Sequence, residues 1–166
     1  MNYIKLKHLI RKHIEPIRTN GLTDCLTLAE HLGLIVKDSS ECLKDFGVED
    51  FPLNKDCHAI YALYKGQHTI YYNENFRYSN YSIATMITWY LSSHYLGEAL
   101  LPHLERLGAA MIIIPESVLC GEGLAEDIAS EYDVPLPVVA EYLNAQRASK
   151  SASIVQKIKT LLPISA

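Results

Sequence analysis

AIYALYKGQHTIYY (Ala59–Tyr72), followed at Tyr81–Glu98 by YSIATMITWYLSSHYLGE, is the stretch on which the reading of the chain turns. The first part has two arms rich in Tyr, Ile and Thr, Ala59–Leu63 and His68–Tyr72, around Lys65-Gly66, and this spacing predicts a β-hairpin. From Ser79 or Asn80 as cap the second part runs without Pro or Gly to Gly97. Ile83, Ile87, Tyr90, Leu91 and His94 or Tyr95 form one continuous stripe along it, so it predicts a long helix. A hairpin that feeds a helix with one apolar face implies a sheet packed on that helix. The fold class is α+β, with a small, mainly antiparallel sheet of three strands.

Upstream, Tyr3, Leu6, Ile10, Ile14 and Ile17 recur at helical spacing. They predict a helix over 2–15 that stops near Pro16, with Lys5, Lys7, Arg11 and Lys12 on a solvated opposite face. A second helix opens at Thr23 or Asp24 and closes at Gly33, and Leu34-Ile35-Val36 reads as a short strand. Residues 38–56 read as loop with one helical turn around Cys42–Phe46. Downstream, Pro102 opens a helix over 102–113 that Pro115 ends. A short helix at Glu116–Leu119 and helices over 123–132, 136–147 and 150–161 complete a single domain, 1–166, with a helical C-terminal part from 116.

Of the 166 residues 49% are hydrophobic and 20% charged, enough apolar material for a core that needs neither disulfides nor a structural metal. No apolar run approaches the ~20 residues of a membrane-spanning helix, and the N-terminus has no signal-peptide pattern, so a cytoplasmic protein is expected. Cys25, Cys42, Cys57 and Cys120 are scattered without zinc-finger spacing and read as reduced thiols. Residues 116–146 carry Glu116, Glu122, Glu126, Asp127, Glu131, Asp133 and Glu141 with no Lys or Arg. Such a block repels phosphate and disfavours nucleic acid as a partner.

Ile70-Tyr71-Tyr72-Asn73, then Arg77-Tyr78 and Tyr81-Ser82-Ile83-Ala84, have the order of a hairpin strand leading into a helix. Ala109-Ala110-Met111-Ile112-Ile113-Ile114-Pro115-Glu116 and Asp127-Ile128-Ala129-Ser130-Glu131-Tyr132-Asp133-Val134-Pro135 follow in turn. In order and spacing, from about Leu22 to Asn144, the chain resembles the ImmA/IrrE family of zinc metallopeptidases. The corresponding family signatures are Phe-Thr-x-Ala-His-Glu-x-x-His-x-x-x-Gly-His, Phe-Ala-x-x-Leu-Leu-Met-Pro and Leu-Ala-x-x-Phe-x-Val-Ser. The resemblance implies a zincin-like fold, with 1–115 as peptidase-like core. It also implies a link to helix-turn-helix repressors, which members of the family cleave or control, often in phage and other mobile elements.

In that register the two histidines and the glutamate of the zinc motif fall on Thr85, Met86 and Trp89. A hydrolytic zinc site needs two imidazoles one helical turn apart, a third ligand, and a carboxylate that takes a proton from the metal-bound water. A neutral hydroxyl, a thioether and an indole supply none of the three. The Trp89 side chain would instead fill the space of metal and water. The family's third ligand, a glutamate on the next helix, falls on Leu104, with Glu105 turned away by about 100° as a solvated acid.

A relocated metal site has weak candidates in His94, Glu98, His103 and Glu105, where a helix-edge His and a solvated Glu are the commoner roles. His58 and His68 read as an exposed cross-strand pair. Ser92-Ser93-His94 has no helix geometry for a dyad. Tyr61, Tyr71, Tyr81, Trp89 and Tyr90 are the candidate lining of a binding groove that outlives the chemistry, because strand addition uses backbone hydrogen bonds and no metal. Leu124–Leu143 has helix-turn-helix spacing, but its second helix offers only Glu141 and Asn144 before Arg147. The expectation is therefore a catalytically inactive, peptidase-like protein, without cofactor, that binds a repressor or other regulator. A metalloprotease-like enzyme with a relocated metal and a nucleic-acid-binding module are the alternatives.

Overall fold

The computed structural model describes residues 2–18, 23–47, 58–118 and 124–161, with side chains described to residue 149. Helix α1 (Tyr3–Ile14) opens where the Asn2 side chain accepts from the Lys5 amide at 3.0 Å, and it buries Leu6, Ile10 and Ile14, the residues its periodicity selects. Its basic face is not simply solvated: Lys5 pairs with Glu98 at 3.5 Å, and Lys7 and Arg11 both pair with Glu116. Helix α2 (Cys25–His31) is capped by Asp24, which accepts from the Leu26 and Thr27 amides.

Strand β1 (Ile35–Asp38) leads directly into helix α3 (Ser39–Phe46), where the sequence suggested loop with a single turn. Asp38 caps this helix through the Glu41 amide at 2.9 Å, and Gly47, at φ 65°, supplies the left-handed C-cap. Both signals stand in the sequence, but the acidic residues around them obscured a helix that buries only Cys42 outright. Strands β2 (Ala59–Tyr64) and β3 (Gln67–Tyr72) form the expected hairpin. Lys65 at φ 48° and Gly66 at φ 80° give the two-residue turn whose twist matches the flanking strands.

The sheet order is β1-β3-β2, with β1 parallel and β2 antiparallel to β3, so the sheet is mixed and not mainly antiparallel. A parallel pair needs a crossover, which α3 and the chain after it provide. Alternation along the strands places Tyr61, Leu63, His68 and Ile70 toward helix α4 (Ser79–Leu96), and Tyr64 and Tyr71 toward α3. Helix α4 starts one residue earlier than read, after Tyr78, with no side-chain cap, and ends at Gly97 at φ 62°.

Helix α5 (Pro102–Ile113) packs along α4 where Gly108 meets Thr88. Helix α6 (Ala125–Glu131) and helix α7 (Leu136–Leu161) follow. Helix α7 is continuous where two helices, 136–147 and 150–161, were expected; Ala148-Ser149 contains neither Gly nor Pro to interrupt it. Of the expected short helix at Glu116–Leu119, Glu116 and Ser117 form a turn and Val118 is in a 3-10 conformation, its amide bonded to the Pro115 carbonyl at 3.1 Å, while Leu119 lies outside the described residues. Ile128, Val134, Val138, Val139 and Tyr142 share one apolar core with Leu6, Ile10, Leu107 and Ile112. Cys25 and Cys42 are buried free thiols, while Cys57 and Cys120 lie outside the described residues. Among the described residues no helix is long and apolar enough to cross a membrane.

Candidate functional site: an edge strand beside the central helix

Strand β2 is the edge of the sheet next to α4, and its polarity follows from the turn. In a two-residue hairpin the residues flanking the turn, Tyr64 and Gln67, exchange backbone hydrogen bonds, and bonded pairs then recur every second residue. Ile60 and Ala62 therefore direct their N–H and C=O groups toward β3, and the His58 carbonyl continues this pattern by accepting from the Asn73 amide at 2.9 Å. Tyr61 and Leu63 direct theirs outward, where they have no partner among the described residues. An outward row of this kind is a template for another strand.

The side chains of the same two residues face α4. Leu63 is 64% exposed, and the Tyr61 ring lies 4.9 Å from the Trp89 ring and 5.9 Å from that of Tyr90. The Tyr61 hydroxyl is hydrogen bonded to Nδ1 of His68, and burial pushes its pKa up. Tyr90 is buried, with the His68 ring 5.3 Å away and the His94 ring stacked on it at 5.0 Å. The result is an aromatic wall beside the outward backbone of Tyr61 and Leu63.

Of the positions where the resemblance would put zinc ligands and base, Thr85 is half-buried and its hydroxyl donates to the Tyr81 carbonyl at 2.9 Å. Met86 packs against the core, and Trp89 is 36% exposed. The indole thus covers Tyr61 at the surface and does not fill a buried cavity. It could not do otherwise, because the inward positions of α4 are already taken by Ile83, Ala84, Ile87, Thr88 and Leu91.

Tyr81 is half-buried at the start of the helix, with its hydroxyl pushed up to about 12 mainly by burial. Tyr71, read as part of the groove, is not: it is fully buried on the opposite face of the sheet, where its hydroxyl donates to Asp45 on α3 at 2.8 Å. Neighbouring residues on a strand point to opposite faces, so Tyr61 and Tyr71 could share a groove only if their strands were offset by one.

The four weak metal candidates do not come together. His94 is exposed, and the buried stripe of α4 ends at Leu91 instead of running through it. Glu98 pairs with Lys5, and His103 is exposed near the start of α5. Glu105 is half-buried and not a solvated acid, and burial raises its carboxyl pKa. Among the described residues no three His, Cys, Asp or Glu side chains form a group able to hold a metal ion.

His68 stands opposite Leu63, and His58 stacks on Phe76, so the expected histidine pair across the hairpin does not form. Ser93 donates to the Trp89 and Tyr90 carbonyls and Ser92 to that of Glu98, which leaves no Ser–His dyad. On α7, Glu141 pairs with Arg106 at 3.2 Å, and three of the four Lys and Arg side chains of α1, Lys5, Lys7 and Arg11, pair with Glu98 or Glu116, which leaves Lys12 and no row of cations for nucleic acid on that helix.

Sequence reading missed the polar cluster in which Lys7, Arg11 and Gln146 surround Glu116, since its members are far apart in the chain and carry no motif. It also missed that β3 is central, with β2 at the edge beside α4, a matter of topology alone. Comparison with protein families, with curated proteins and with solved structures finds no match.

Proposed function

We propose that this protein is a non-catalytic, peptidase-like binding protein that captures an extended segment of a partner protein along β2. The observation that carries the reading is the outward, unpartnered backbone of Tyr61 and Leu63 beside the Trp89–Tyr61 aromatic wall. Strand addition takes its affinity from main-chain hydrogen bonds and its specificity from side-chain contacts on alternate residues. Tyr61, Leu63 and Trp89 offer those contacts. Thr85, Met86 and Trp89 offer neither metal ligands nor a base, so a segment held there is bound and released intact. The resemblance to ImmA/IrrE peptidases supports a helix-turn-helix repressor, or another regulator of a phage or mobile element, as the source of that segment.

Leu63→Pro is the discriminating variant. It deletes an outward N–H and leaves the ladder to β3, made by Ile60, Ala62 and Tyr64, in place; proline is tolerated at an edge strand whose N–H faces solvent. A displayed peptide library selected on the wild-type protein should yield binders that lose at least tenfold affinity for Leu63→Pro, while its melting temperature stays within a few degrees. Binders indifferent to the substitution, or stoichiometric zinc with chelator-sensitive cleavage of a repressor, would overturn the reading.

A further inference from the structure

A second feature lies away from the strand edge, in a partly open cavity of about 120 Å³ lined by α1, the residues just after it, α5, the segment that follows α5, and α7. Its apolar side is Ile10, Ile14 and Met111. Its polar side brings the cations Lys7, Arg11 and Arg18 together with Glu15, Glu116 and Tyr142. At about 30 Å³ per water in the liquid this is room for roughly four waters or one small organic molecule. We propose that this cavity binds a small oxyanion, its carboxylate or phosphate oxygens received by Arg18 and the Tyr142 hydroxyl.

Two independent observations point there. Arg18 is the cation of the three without a carboxylate partner: its Nε donates to Thr23, and its Nη2 to the Met111 and Ile112 carbonyls at 3.3 and 3.1 Å. These bonds fix the guanidinium plane and leave the two donors of Nη1 for an oxyanion, which Arg18 would receive through this one nitrogen. Tyr142 is 0% exposed, and among the described residues its hydroxyl has no partner at bonding distance, although the Gln146 side chain lies beside it. Gln146 accepts from Lys7 at 3.1 Å and donates to Glu116 at 3.4 Å, which orients its amide toward those two groups. A buried hydroxyl without a partner is costly unless something else supplies one.

Charge agrees with this assignment. Glu116 is matched twice, by Lys7 and Arg11, so its repulsion of a bound anion is offset locally. Glu15 is exposed, where solvent screens it. The lining carries one more cation than carboxylates.

Calorimetric titration of the full chain at constant ionic strength, with inorganic phosphate, acetate and butyrate as probes and chloride as the reference, tests the proposal. Saturable binding of phosphate alone, of the carboxylates alone, or of both supports it and identifies the head group. Tyr142→Phe keeps the ring in the core and removes only the hydroxyl, so it should fold normally and weaken that binding about tenfold; Arg18→Gln should abolish it. Should Arg18→Gln not fold, the Tyr142→Phe titration decides. Heats indistinguishable from chloride for every probe, or Tyr142→Phe binding as tightly as wild type, would overturn the assignment.

Discussion

A methyl group on Gly108 would lie 2.2 Å from Thr88 Cγ2 and 2.9 Å from its hydroxyl oxygen. Thr88 is fully buried, β-branched and bonded to the Ala84 carbonyl at 2.8 Å, so it has little freedom to retreat. Alanine gains about 1 kcal/mol of helix propensity over glycine, whereas overpacking a core costs about 1–3 kcal/mol. Gly108→Ala should therefore lower stability by about 1 kcal/mol in urea unfolding, with Thr88→Ala in the same chain restoring most of the loss. An unchanged midpoint would show that α4 and α5 do not depend on this close approach. At Asp45, hydrogen bonds from Lys37 and from Tyr71 hold the carboxyl below its ordinary range. A group depressed on folding contributes stability above its unfolded pKa, about 3.9, and loses it as pH falls through the lower folded value. Asp45→Asn should flatten the acid limb of the stability curve, read by near-ultraviolet circular dichroism; superimposable limbs would remove Asp45 from the account. Leu6, Ile10 and Ile14 were legible because a helix with one wet face writes its period into the sequence. Tyr71 and Tyr72 were not, because helices cover both faces of β3 and a strand buried on both sides has no polar alternation to read.

Elements were read best where the chain carries its own stop signals. The hairpin has Lys65-Gly66, α4 has Gly97, and α5 has Pro102 and Pro115. Helix α3 was under-read because its caps lie within a charged stretch, and α7 was divided although nothing in its sequence divides it. Its continuity is open to direct test: proline within a continuous helix removes one hydrogen bond and clashes with the preceding turn, at a cost of about 3 kcal/mol. Ser149→Pro should thus reduce the far-ultraviolet helical signal and the melting temperature together. If both stay at wild-type values, residues 148–149 are a joint between two helices.

Across the whole molecule, the Glu116 carboxylate fastens α1 to the segment that follows α5, and Gln146 joins α7 to the same point. Burial alone would raise the Glu116 pKa; the hydrogen bonds from Lys7 and Arg11 outweigh it and bring the pKa below the usual value. Glu116 is partly exposed, so the network is weaker than a buried one and screened by salt. Glu116→Gln should cost about 1 kcal/mol at low ionic strength and distinctly less in 1 M salt, by paired urea titrations. A loss independent of salt would point to packing instead of charge. The same cluster accounts for the basic helix and the start of the acidic block as halves of one internal contact, which the charge pattern alone presented as two separate surfaces.

The sequence by itself determined most of the elements and the side-chain chemistry available on α4. Helical and strand periods, caps and turn residues are local, and the lack of imidazole and carboxylate at Thr85, Met86 and Trp89 is a property of side chains that no folding can change. Only the tertiary structure decided that β1 runs parallel to β3, that β3 is central with β1 and β2 at the two edges, and that Tyr71 turns away from Tyr61. It alone brought Arg11 to Glu116, 105 residues away. Those outcomes depend on how the connections cross the sheet and on which faces pack together, and contacts between distant segments leave no periodic mark in a single chain.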